Sequence, residues 1–195
     1  MPVTINGDGS VTGLSVGGLG AGVVNTATLA DGAATGVKQG AGSVIQVVQG
    51  TFTGTNDTTG TSLVDTGVTK SITVTGSNKV LVSYTCYMSA KSGVHGVRTV
   101  LVRGSTSIFL GDQPSTGMRA TGGGWTNNSL GDFTTWNHSN TFLDTPGAGT
   151  HTYKVQFSST YTGSHEARVG CPIGGTTNPA YYTTPSHITL MEIKV

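Results

Sequence analysis

From residue 43 onward, hydrophobic and polar positions alternate. In NKVLVSYTCYM, Val80, Val82, Tyr84, Cys86 and Met88 fall on one face and Lys79, Leu81, Ser83, Thr85 and Tyr87 on the other. HTYKVQF repeats the pattern, with Tyr153, Val155 and Phe157 opposed to Thr152, Lys154 and Gln156. A period of two sends successive side chains to opposite sides, so these segments predict half-buried antiparallel strands. Further strands are predicted at 43–49, 68–75, 97–103, 106–110, 133–143, 166–170 and 187–194. Clusters of Gly, Asn, Asp, Ser and Pro separate them. About nine short strands at this spacing predict an all-β fold, an antiparallel β-sandwich or jelly roll. The last strand, HITLMEIKV, reads as continuous rather than alternating, because Ile188, Leu190, Met191, Ile193 and Val195 leave few polar positions. It is predicted to be covered on both faces, either as a central strand or between its own core and a subunit interface.

The first 42 residues follow a different pattern. Val3, Ile5, Val11, Leu14, Val16 and Leu19 recur between turn residues, and the charged residues are Asp8, Asp31 and Lys38. TINGDGS is a turn signal, since Asn-Gly and Asp-Gly supply the positive φ of tight hairpins. VNTATLADGAATGVKQ, residues 24–39, suits a helical turn or two, broken at Gly32. Helices that short are marginal in water, and the segment carries too few large apolar side chains for a core of its own. It is expected to become ordered against neighbours. The boundary divides the chain into a glycine-rich segment at 1–42 and a β-domain at 43–195.

Composition reinforces this division. Charged residues make up 10% of the chain and glycine 31 of 195 residues, against roughly 25% charged and 7% glycine in ordinary domains. So neutral a chain is more comfortable with much of its surface covered. The formal charge of +1 provides no basic field for nucleic acid. No apolar run is long enough for a membrane helix. MPVTINGDGS lacks the basic and apolar regions of a secretory signal, so synthesis in a cytoplasm is expected. Cys86 and Cys171 fit no metal or redox spacing and read as buried free thiols.

Several segments point to a family. TINGDGSVTGLSVGGL followed by NTATLADGAATGVK resembles the N-terminal module of short tail-fibre proteins of tailed bacteriophages, especially phages of aquatic bacteria. SVIQVVQGTF resembles the strand by which such proteins enter their distal β-domain. TSLVDTGVTKSITVTGSNKVLVSY, LVRGSTSI, THTYKVQF and ITLMEI look like its β-sandwich tip. The resemblance spans nearly the whole chain. It implies a homotrimeric virion structural protein, attached to another phage structural protein through residues 1–42. The sandwich would project towards a glycan or protein of the host surface. No cofactor, nucleic acid or membrane insertion is implied. The chain lacks the extended shaft of longer members, so a capsid decoration or head-fibre protein at three-fold positions is the alternative.

Candidate chemistry is sparse. Cleavage of polysaccharide needs two positioned carboxylates, and Asp132 with Glu166 is the pair to inspect among nine acids. A depolymerase is therefore the weakest reading, and the chain is expected not to be an enzyme. GGLGAG lacks the Lys-Ser/Thr and the preceding strand of a phosphate loop. The histidines show no i, i+2 metal pair, so no metal is expected within one chain. Binding residues are better supported. Two irregular stretches, 111–132 and 170–186, exceed the usual loop length and carry aromatic residues. Trp125 with Asn127 and Asn128 lies in the first, Tyr181 and Tyr182 lie in the second, and Trp136 lies on a predicted strand. Aromatic faces beside amides suit the apolar face and hydroxyls of a sugar. For each aromatic, anchoring against the core is the competing reading.

Overall fold

The computed structural model describes residues 4–5, 7, 11–12, 39–91, 95–126, 134–163, 165–174 and 182–195. The chain divides into two compact units, Met1–Gly40 and Ala41–Val195. In the first, β1 (Thr4–Ile5) pairs antiparallel with β2 (Val11–Thr12), on either side of the NGDGS sequence. The helical turns predicted for 24–39 lie, apart from Gln39, outside the described residues.

The second unit is all-β and antiparallel, a two-sheet sandwich. Its strands are β3 (Val44–Phe52), β4 (Asn56–Thr58), β5 (Val64–Val74), β6 (Lys79–Ala90), β7 (Gly96–Arg103), β8 (Thr106–Ile108), β9 (Gly122–Trp125), β10 (Thr135–Asp144), β11 (Gly149–Ser159), β12 (Ala167–Val169) and β13 (Ser186–Ile193). In one sheet β6 lies between β10 and β13, and β13 pairs on its other side with β3; the short β12 and β4 extend this sheet. In the other, β11 joins β5 to β7, and β7 carries both β8 and β9 on its far edge. The pairs β3–β13, β5–β11, β6–β10 and β7–β9 nest inside one another and alternate between the sheets. The chain is thus a long hairpin rolled up on itself, the arrangement of a jelly roll.

The predicted alternation survives in the packing. Val80, Val82, Tyr84, Cys86 and Met88 of β6 face Tyr153, Val155 and Phe157 of β11 across a shared core. Both cysteines are buried and free, and burial pushes the Cys86 thiol up to about 12. At one corner β3 and β5 approach so closely that a Cβ on Gly50 would collide with the carbonyl oxygen of Thr69.

Three expectations need correction. β4 and β9 were not anticipated, because NDT and GGGW carry no apolar alternation. Trp125 accordingly ends an edge strand, where a loop was predicted. β13 is not apolar through and through: Ile188, Leu190 and Glu192 are buried while Thr189, Met191 and Ile193 on the other face are half-buried. Its core-facing side therefore holds a carboxylate. Glu192 receives hydrogen bonds from Gln46 Nε2 at 2.6 Å, the Thr75 backbone N–H at 2.8 Å and Asn78 Nδ2 at 2.8 Å. A second carboxylate, Asp144 at the end of β10, accepts from Arg103 at 2.7 Å and Tyr153 at 2.6 Å, both on the opposite sheet. Two acids thereby tie the sheets together by charge-assisted bonds, about twice as strong as neutral ones.

Candidate functional site

The site is built on the outward face of the second sheet, around β9. β9 is Gly122–Gly123–Gly124–Trp125, and its two faces do different work. Gly122 and Gly124 turn inward. A Cβ on Gly124 would press on His138 Nε2 and Trp136 Nε1, each 3.1 Å away. Glycine is needed here so that β9 can lie directly on the side chains of β10. Trp136 is half-buried beneath the strand, and His138 is buried beside it with Nδ1 3.5 Å from Thr99 Oγ1. Burial lowers the His138 pKa to about 4, so the imidazole is neutral at physiological pH.

Gly123 and Trp125 turn outward, in register with Arg98 and Gly96 of β7. Two positions without side chains on neighbouring strands leave a hollow, and the segment through Met118 borders it. The result is a groove of about 400 Å³ lined by Arg98, Met118, Gly123, Trp125, Thr160 and Tyr161 among others. That falls within the roughly 300–1,000 Å³ of small-ligand clefts.

Trp125 is 54% exposed and Tyr161 49% exposed, yet both are held. Thr126, next in the chain to Trp125, is buried; its N–H donates to His95 O at 2.7 Å and its hydroxyl to Lys91 O at 3.0 Å. Thr160, beside Tyr161, exchanges bonds with the Gly96 backbone at 3.0 Å. The two rings meet edge to face at 6.0 Å and 78°. Tyr161 in turn meets His165 at 5.7 Å, and His165 Nδ1 lies 2.9 Å from His95 Nε2. Edge-to-face aromatic contacts of this kind are worth about 0.5–1.5 kcal/mol beyond area burial. They form a braced wall with ring surface free for a ligand.

Of the residues singled out in the sequence, the groove takes up Trp125. Trp136 lies behind β9 as a support, the core-packing role weighed against binding. Tyr182 is exposed but does not line the groove. Asn127, Asn128 and Tyr181 lie outside the described residues. Tyr161, His165, His95, Arg98 and Met118 went unrecognised, because they come from three separate stretches that only folding assembles. The signal that could have found all but Met118 is HGVR and TYTGSHE, where aromatic and basic residues flank glycine at strand ends.

The described acids are largely engaged elsewhere. Glu166 binds Arg168 at 2.5 Å, and Asp65 binds Lys154 and Gln156. Asp132, paired with Glu166 as the carboxylates to inspect, lies outside the described residues. Among the described residues no three His, Cys, Asp or Glu side chains gather as metal ligands.

Fold and groove together define an antiparallel β-sandwich with an open groove on one sheet face. No protein-family model matches the chain, and no curated protein matches it at significance.

Proposed function

We propose that this chain is a bacteriophage virion structural protein: a homotrimeric tail fibre that attaches through residues 1–42 and binds a host-surface glycan through the sandwich. The observation that carries the reading is the Trp125–Tyr161 groove, an exposed aromatic pair held in place by the backbone of β7 and β9. Exposed aromatic surface is unfavourable in water unless a partner covers it, and a pyranose ring offers a matching apolar face. Three weak sites on one particle would act together through effective concentration, so no chemistry is required of the protein.

The test is adsorption of labelled full-length protein to host cells. Replacing Trp125 and Tyr161 together by Ala is expected to reduce adsorption at least about tenfold, the effect of losing roughly 1.4 kcal/mol per site. Tyr182→Ala is expected to leave it unchanged. Full adsorption by the folded double variant removes the groove from the reading. In purified particles, copy number in the range of the tail rather than of the shell is expected.

A further inference from the structure

The groove has one charged wall, and among the described residues no ion pair compensates its charge. Arg98 of β7 lines the groove, and its register partner on β9, Gly123, has no side chain to cover it. Its Nε donates to Ser158 Oγ at 2.8 Å, Nη1 to the Arg119 carbonyl at 3.2 Å and Nη2 to the Thr61 carbonyl at 3.2 Å. All three acceptors are neutral. Among the described residues, none of the three ion pairs involves Arg98 and no carboxylate lines the groove. Arg119, whose carbonyl caps Arg98, also enters none of them and donates its Nε to Gly111 O at 2.8 Å.

A guanidinium has five N–H donors. Three are spent on holding Arg98 in place, which leaves one on each terminal nitrogen. Two N–H groups on the two terminal nitrogens are what a carboxylate accepts in a bidentate pair. The side chain is already oriented by its other bonds, so little freedom remains to be lost on binding. Burial also lowers the Arg98 pKa.

Resting on the glycan-binding reading above, we infer that the ligand is an anionic sugar, stacked by its ring on Trp125 and Tyr161, with its carboxylate or phosphate group on Arg98. A neutral glycan would leave the guanidinium half-desolvated and without its charge partner.

The experiment uses full-length protein and immobilised bacterial polysaccharides containing uronic acid, each paired with the same polymer after reduction of its carboxyls to hydroxymethyl groups. Phosphate-bearing polymers, intact and dephosphorylated, form the second arm. Binding to at least one anionic polymer is expected, with at least a tenfold loss when the anion is removed. The arm that responds identifies the anion. Arg98→Met is expected to cause the same loss and Arg98→Lys a smaller one. Because Arg98→Met also removes three structural hydrogen bonds, the matched polymers on unaltered protein keep the test independent of its folding. Binding that ignores removal of the anion, or no binding to any anionic polymer, overturns the inference. The glycan reading fails separately: if Trp125→Ala/Tyr161→Ala leaves whole-cell adsorption intact, the groove is not the site; if that variant loses adsorption while the anion makes no difference, the site stands and the ligand is neutral.

Discussion

A carboxylate inside a sandwich is tolerated when donors surround it, because an unpaired buried charge costs several kcal/mol. Glu192 meets that condition. Burial pushes its pKa upward, but the bonds from Asn78, Gln46 and Thr75 outweigh this and hold it at about 2, against an ordinary 4.5. Its contribution is therefore complete above pH 4.5 and is lost as pH falls towards 2. His138 moves stability in the same direction for another reason. Burial favours its neutral form and lowers its pKa from 6.5 to about 4, so the unfolded chain takes up a proton first as pH drops. At about 1.4 kcal/mol per unit, that withdraws about 3 kcal/mol between pH 6.5 and pH 4. The melting temperature of the wild-type protein is expected to fall across that window, and His138→Leu to flatten the fall. A wild-type melting temperature constant from pH 6.5 to 4 would contradict the buried neutral imidazole.

At the scale of elements, close approach explains what composition alone leaves obscure. Glycine is abundant partly because strands here lie against strands or rings with no space for a Cβ. Gly50 on β3 meets the Thr69 backbone of β5, and Gly124 on β9 meets Trp136 and His138 of β10. At Gly50 the neighbour is main chain and cannot rotate away. Gly50→Ala is expected to separate that corner and cost about 1–3 kcal/mol, the usual penalty of overpacking. The urea midpoint measures it, and a midpoint equal to wild type would mean that the corner yields freely. The same logic makes β9 useful: its inward glycines seat it on β10, and its outward glycine opens the groove.

At the scale of the whole molecule, the outward face of the first sheet is uneven. Val47, Met191, Leu81 and Leu143 lie in register across β3, β13, β6 and β10 and form an apolar row, with Val47 55% and Leu143 46% exposed. Beside it Gln49, Thr189, Ser83 and Thr141 form a polar row, with Gln49 bonded to Thr189 and Thr141 to Ser83. A row of apolar side chains across four strands suits burial against a second copy, in line with the proposed trimer. Light scattering at micromolar concentration is expected to return the mass of three chains. Leu143→Glu together with Val47→Glu is expected to shift it towards one, with the sandwich intact because both residues are exposed. A wild-type mass of one chain would remove the trimer from the proposed function.

The alternation of Val80 to Met88 and of Tyr153 to Phe157 was legible in the sequence, because side chains on successive strand residues must point to opposite sides whatever lies beyond. That periodicity determined the class of fold and most of its strands. It could not reveal β9, whose three glycines carry no hydrophobic signal and which becomes a strand only because β7 offers it an edge. Nor could it show that Glu192, set among apolar neighbours, faces the core, since its donors come from residues more than a hundred positions away. Trp125 could be singled out as a conspicuous aromatic, whereas Tyr161, His165 and Arg98 could not. Local pattern determines which way a side chain points; which side chains meet is decided by the rolling of the sheets, which carries β7, β9 and the end of β11 to one face.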